Sequence, residues 1–166
     1  MQLTHYNTSF KQRKFPIILV CDSVTNAANI GSLFRIADAF GLERIIFCGE
    51  HIPLGRKMTK TSRATEKVVR FKVSNVILEE IKQLKADGYC IISLEITKES
   101  SPIHTFQFPK EKPIALIVGD ENFGISEAIL KLSDSVIHIN MFGQNSSMNV
   151  VQATNIALYE ITKQII

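Results

Sequence analysis

Ile114-Ala115-Leu116-Ile117-Val118-Gly119-Asp120-Glu121-Asn122-Phe123-Gly124-Ile125 is the stretch on which the fold turns. The opening apolar run reads as a strand buried on both faces, and the polar turn after it leads into a short helix from Ser126 to Leu132. The same order occurs twice more. Phe15 to Cys21 is an apolar run ahead of Asn29-Ile30-Gly31-Ser32-Leu33-Phe34-Arg35. Ser135 to Ile139 is another, ahead of Met141-Phe142-Gly143-Gln144-Asn145-Ser146-Ser147-Met148-Asn149. In an open α/β sheet, turns of this kind gather at the carboxyl ends of strands, where ligands bind. Glycine brings backbone close to a ligand, while Asn, Glu, Ser and Arg supply directed polar groups.

Outward from these turns the pattern continues to alternate. Asn29 to Gly41 predicts a helix through Ile30, Leu33, Phe34, Ala37 and Phe40, with Gly41 as its stop. Arg44 to Cys48 reads as a strand. His51 to Arg70 is basic and poorly periodic, a long loop with room for a short helix, and Val68 to Val73 reads as a brief strand. Asn75 to Asp87 is helical through Ile77, Leu78, Ile81 and Leu84 and ends at Gly88; Tyr89 to Glu95 is a strand. Thr97 to Lys112 is mostly connection, and a last helix runs from about Ser147 to Gln164. Alternation of this kind predicts an α/β fold, a mostly parallel sheet with helices on both faces, in one domain over residues 1–166.

Composition narrows the function. At 45% hydrophobic and 21% charged residues the chain has an ordinary globular make-up. No apolar run approaches the roughly 18 residues of a membrane span, and Met1 to Lys14 is too polar for a signal peptide, so the expectation is a cytoplasmic protein. Cys21, Cys48 and Cys90 each fall in an expected strand and read as buried thiols rather than disulfides. His5, His51, His104 and His138 are scattered, and phosphate-loop, G-x-G-x-x-G, C-x-x-C, H-E-x-x-H and G-x-S-x-G signatures are absent, which argues against metal and covalent catalysis. More than half of the 19 Lys and Arg residues fall in Lys11 to Lys14 and Arg56 to Lys72. Such clustering suits a polyanion such as nucleic acid, with Arg56, Lys57, Lys60 and Arg63 as candidate backbone contacts, and equally suits a solvated loop.

Each polar residue of the three turns has two readings. Asn29 stands at the expected N-cap, where capping alone would explain it. Arg35 lies opposite the apolar helix face, as a phosphate ligand or a surface Arg. Glu121 either orients a ligand or receives the amides of the next helix. Ser147 and Asn149 open the last helix, where Ser is an ordinary cap.

Taken together, the turns contain N-x-G-x-x-x-R at Asn29 to Arg35, G-x-E-x-x-G at Gly119 to Gly124 and S-x-N-V-x-x-A at Ser147 to Ala153. In this order and spacing they resemble the three motifs of the SpoU (TrmH-like) branch of the SPOUT superfamily, the knotted RNA ribose 2′-O-methyltransferases. The resemblance implies methyl transfer from S-adenosylmethionine to a ribose hydroxyl, with tRNA ahead of rRNA as substrate and no metal. It also implies a deep C-terminal trefoil knot and a homodimer. By motif position Asn29, Arg35, Glu121, Ser147 and Asn149 would be catalytic. Leu94, Val118, Gly119, Glu121, Ile139, Met141, Gly143, Ser147 and Met148 would hold the cofactor. Asn140, Met148, Val151 and the pair Ala27-Ala28 depart from residues common in the family, and the RNA-binding extension that several relatives carry at the amino terminus is absent from the sequence. The alternative is a retired enzyme, a knotted dimer that binds RNA without turnover.

Overall fold

In the computed structural model, residue 8 and residues 10–166 are described; His5 and part of the Met1 to Lys14 stretch lie outside them. The elements in chain order are β1 (Phe15–Asp22), α1 (Ala27–Ala39), β2 (Leu42–Cys48), α2 (Arg56–Ser62), β3 (Phe71–Ser74), α3 (Ile77–Ala86), β4 (Cys90–Leu94), β5 (Ser101–Pro102), β6 (Ile114–Val118), α4 (Glu127–Leu132), β7 (Ser135–His138) and α5 (Val150–Ile165). The strands form one sheet in the order β3-β2-β1-β6-β4-β7-β5, and every pairing is parallel. The expected mostly parallel sheet is wholly parallel.

Two-residue alternation inside the apolar runs separates two cores. Ile17, Leu19 and Cys21 of β1 face one core with Ile114, Leu116 and Val118 of β6. Ile18, Val20, Ala115 and Ile117 face the other. The first core is closed by α1 through Ile30, Leu33, Phe34 and Ala37 and by α5 through Ala157, Leu158 and Ile161. The second is closed by α3 through Ile81 and Leu84 and by α4 through Ile129. Helices therefore cover both faces, as a sheet of continuous apolar strands requires. No helix among the described residues is long and apolar enough to cross a membrane.

Several boundaries differ from expectation for local reasons. Asn26, not Asn29, caps α1: its side chain accepts from the N–H groups of Ala28 (3.0 Å) and Asn29 (3.1 Å), which places Asn29 inside the first turn. Asn149, not Ser147, caps α5 by accepting from Val151 N–H at 2.9 Å. The brief strand is Phe71–Ser74, because Val69 still bonds back to the short 3-10 turn at Thr65–Lys67. Within the connection after β4, Ser101 and Pro102 pair with Ile137 and His138 as the edge strand β5. Gly41 does end α1, at φ +59° with its N–H on Asp38. Cys21 and Cys48 are buried, and burial pushes the Cys48 thiol up to about 12.

The basic loop contains the helix α2, pressed against α1. A methyl group at Gly31 would run into the Met58 carbonyl oxygen and the Thr61 hydroxyl of α2. Gly31 therefore serves a close helix–helix approach, rather than a ligand. Gly31→Ala should cost about 1–3 kcal/mol or more by forcing the helices apart. Gly143→Ala, where a methyl meets nothing within 4 Å, should stay within about 0.5 kcal/mol of the parent. Urea denaturation of both variants checks this; equal stabilities would contradict it.

Candidate active site

The carboxyl ends of β4, β6 and β7 open into a cleft of about 470 Å³, the size range of small-molecule sites. Leu94, Val118 and Ile139, at or just beyond the ends of their strands, contribute apolar walls, and the turn after β6 forms one side. That turn is built tightly. Asp120 Oδ1 accepts from the N–H groups of Asn122 (2.8 Å) and Phe123 (3.2 Å), and Gly124 N–H returns to the Asp120 carbonyl at 2.8 Å. A side chain at Gly119 would collide with the backbone of Gly124, and Gly124 itself sits at φ +64°. Only glycine meets both demands.

Glu95, directly after β4, pins this turn from outside. Its Oε2 accepts from Ile125 N–H at 2.9 Å and occupies the space beside Gly124, 2.5 Å from where a Cβ would stand. Its Oε1 accepts from Ile96 N–H at 2.9 Å. The sequence contains a signal for it, an acidic residue just beyond an apolar strand, the same pattern that singles out Glu121.

Glu121 joins the three turns. Its Oε1 accepts from Asn149 Nδ2 at 2.7 Å, from Asn29 Nδ2 at 3.1 Å and from Val150 N–H at 3.3 Å. Asn149 Nδ2 also reaches Asn29 Oδ1 at 3.3 Å. The amide-acceptor reading of Glu121 holds in part, since it binds one amide at a helix start, but that helix is α5 rather than the one following its own turn. Glu121 Oε2 makes no hydrogen bond among the described residues.

The remaining candidates divide by position. Leu94, Val118, Gly119, Glu121, Ile139, Met141, Ser147 and Met148 all line the cleft, and Gly143 does not. Arg35 lies on the exposed side of α1, outside the cleft, without an ion pair among the described residues. Arg56, Lys57 and Lys60 lie exposed on α2, with Arg63 at its left-handed end. Residues that sequence reasoning missed are Glu95, Asp120, and His138, whose Nδ1 is 2.9 Å from Ser100 Oγ at the cleft wall.

The charge of the cleft is one-sided. Glu95, Asp120 and Glu121 line it, and no Lys or Arg does. Asp22, at the end of β1 and outside the cleft lining, has a carboxyl that burial pushes up from its ordinary value, with nearby Asp120 pushing the same way. Such a cleft favours a cationic ligand with apolar parts. No cluster of three or more His, Cys, Asp or Glu suited to a metal occurs among the described residues.

Known proteins resemble this chain in sequence and fold. The model of the SpoU rRNA Methylase family matches residues 16–159. The tRNA (guanosine(18)-2′-O)-methyltransferase of Aquifex aeolicus is 30% identical over 157 residues, 93% of this chain and 72% of that protein. The 23S rRNA (guanosine-2′-O-)-methyltransferase RlmB of Shewanella oneidensis is 30% identical over 151 residues, 90% of this chain and 60% of that protein. An uncharacterized tRNA/rRNA methyltransferase of Synechocystis is 29% identical, and this chain spans 39% of its length. Among solved structures, the A. aeolicus TrmH/SpoU tRNA modifying enzyme aligns with a TM-score of 0.82 at 28% identity, over 92% of this chain and 77% of that one. The AdoMet-bound rRNA methyltransferase from Sinorhizobium meliloti shares the fold at a TM-score of 0.85 and 23% identity, over 95% of this chain and 59% of that one. Matched along most of its length, with its three glycine turns tied to one carboxylate, the chain belongs to the SpoU rRNA Methylase family.

Proposed function

We propose that this chain transfers a methyl group from S-adenosylmethionine to a ribose 2′-hydroxyl of RNA. The observation that carries the reading is the meeting of Asn29, Glu121 and Asn149, one from each turn, at an acidic cleft with apolar walls. The names of the Aquifex and Shewanella relatives and the AdoMet-bound Sinorhizobium neighbour support it. A sulfonium cofactor carries positive charge, and a cleft lined by three carboxylates and no Lys or Arg complements it. Leu94, Val118, Gly119, Glu121, Ile139, Met141, Ser147 and Met148 would hold the cofactor, with Gly143 on the same turn as Met141.

The cofactor supplies an electrophilic methyl group, and the protein supplies orientation. Glu121 Oε1 is occupied by three donors, so Oε2 is the atom left to accept the ribose hydroxyl. Asn29 and Asn149 hold that carboxylate in place. Arg35 would clamp a substrate phosphate beside the ribose and leave that phosphate, or another group, to take the hydroxyl proton, because a guanidinium with a pKa above ~12 is a poor base. Ser147, on the cleft wall, would contact the incoming nucleotide. Arg56, Lys57, Lys60 and Arg63 would hold the RNA backbone, a role that α2 could fill through its dock against α1.

tRNA is the first choice of substrate and rRNA the second; mass spectrometry of RNA from a deletion strain, seeking one missing 2′-O-methyl mark, decides between them. Residues 1–166 act as one domain in the cytoplasm. A C-terminal trefoil knot is supported by the strand order, in which β6 enters between β1 and β4, and β7 between β4 and β5.

A homodimer through α1 and α5 is part of the same proposal. Ile156 and Tyr159 are 39% and 61% exposed on the outer side of α5, and Phe123 and Phe142 are 90% and 95% exposed on the turns beside the cleft. Light scattering at micromolar concentration should give about twice the 18.6 kDa chain mass. A monomer that is still active would contradict this.

Arg35→Ala should keep fold and cofactor affinity while losing about 2–4 kcal/mol of transition-state stabilisation, roughly 30- to 1000-fold in rate. Arg35→Lys should recover only part, since it keeps the charge but not the fork. Single-turnover methyl transfer at saturating cofactor measures both. An Ala variant within threefold of the parent would remove Arg35 from the mechanism.

A further inference from the structure

We propose a second RNA-backbone site at the amino-terminal end of the sheet, at the opposite end from the reaction cleft. It rests on the RNA-substrate reading above and extends it to the size of the substrate. β1, β2 and β3 are parallel neighbours, so the residues that lead into them meet at one edge. Those residues are basic. Arg13 and Lys14 precede β1, Arg70 precedes β3, and Arg44 lies near the start of β2. Arg13 stacks its guanidinium 4.6 Å over the Phe15 ring, Lys14 Nζ donates to the Leu42 carbonyl at 3.3 Å, and the Arg70 carbonyl accepts from Ile45 N–H at 3.0 Å. The ends of the two basic stretches, Arg13-Lys14 and Lys67 to Arg70, thus lie at the same end of the sheet.

Between β2 and β3 this edge holds a cleft of about 460 Å³ lined by Arg44, Lys67 and Arg70, with Lys72 and Glu43. Lys72 is committed to Glu80 at 2.6 Å, and Glu43 accepts the Tyr89 hydroxyl at 2.7 Å. Arg44, Lys67 and Arg70 have no ion pair among the described residues. Arg44 Nε is buried with no acceptor among the described residues, a costly state for a charged donor.

Distance and spread identify the ligand. β3 and β6 are three strand spacings apart, ~14 Å, and the strands run ~15 Å from end to end, so the two sites are about 20 Å apart. A small anion would engage one or two cations; five, spread over three strand starts, suit a polyanion whose phosphates carry no sequence information. The substrate is then a folded RNA that reaches well beyond its target nucleotide, and a short oligonucleotide bearing that nucleotide is a poor substitute.

Fluorescence anisotropy with labelled bulk tRNA across a salt series tests the site, since backbone contacts are independent of sequence. Lys67→Ala combined with Arg70→Ala should weaken binding and flatten the log–log salt slope by roughly 1.4 to 1.8, two phosphate contacts at ~0.7–0.9 each. S-adenosylmethionine affinity and melting temperature should match the parent, and Arg70→Lys should keep most of the slope. A double variant with the parent's affinity and slope would overturn the second site and leave the methyltransferase reading standing. A fall in cofactor affinity or melting temperature would assign the residues to structure instead. A parent that binds cofactor but no RNA would overturn the RNA reading and this site with it.

Discussion

Everything at the cleft depends on one carboxylate oxygen. Glu121 Oε1 receives N–H groups from Asn29, Asn149 and Val150, although Asn29 is 92 residues away in sequence and Asn149 is 28. Asn149 works at both ends of its amide: the oxygen caps α5 through Val151 N–H, and the nitrogen reaches Glu121. The start of the last helix, the turn after β6 and the first turn of α1 are thereby held in one geometry. Glu95 adds a second clasp by bonding Ile125, so the Gly119–Ile125 turn is tied at both of its sides. All these donors and acceptors are on backbone or short side chains, which suits a site that must keep its shape as ligands enter and leave.

The parallel sheet also sorts charge. With every strand running the same way, all strand-to-helix turns lie at one end and all strand starts at the other. Carboxylates line the cleft at the first end, while Arg13, Lys14, Arg44 and Arg70 gather at the second. An acidic cleft complements a cationic cofactor and repels phosphates. In the proposed reaction a polyanionic substrate would be gripped on other surfaces, and α2 and the amino-terminal edge carry exposed cations.

How much of this was legible in the sequence varied with how local the cause was. The strands were legible because Phe15 to Cys21 and Ile114 to Val118 are continuous apolar runs, the mark of a sheet covered on both faces. Ser101–Pro102 carries no such mark, and its strand exists only by pairing with β7. The apolar stripe of α1 begins only at Ile30, so it does not mark the start of the helix, whose cap is Asn26. α2 was invisible to periodicity because Met58 is its one buried apolar residue and the space left by Gly31 holds it. Glu121 and Asn149 stood out as polar residues in glycine turns. That they share one hydrogen-bonded junction, and that Glu95 braces it, depends on contacts between segments that no local pattern contains.

The central claim is that the Glu121 junction shapes the cofactor cleft. Isothermal titration of S-adenosylmethionine into the parent and into Glu121→Ala tests it most directly. The account predicts at least a tenfold weaker Kd for the variant, about 1.4 kcal/mol, with circular dichroism and melting temperature close to the parent. A variant that folds like the parent and binds the cofactor within twofold of it would contradict the account.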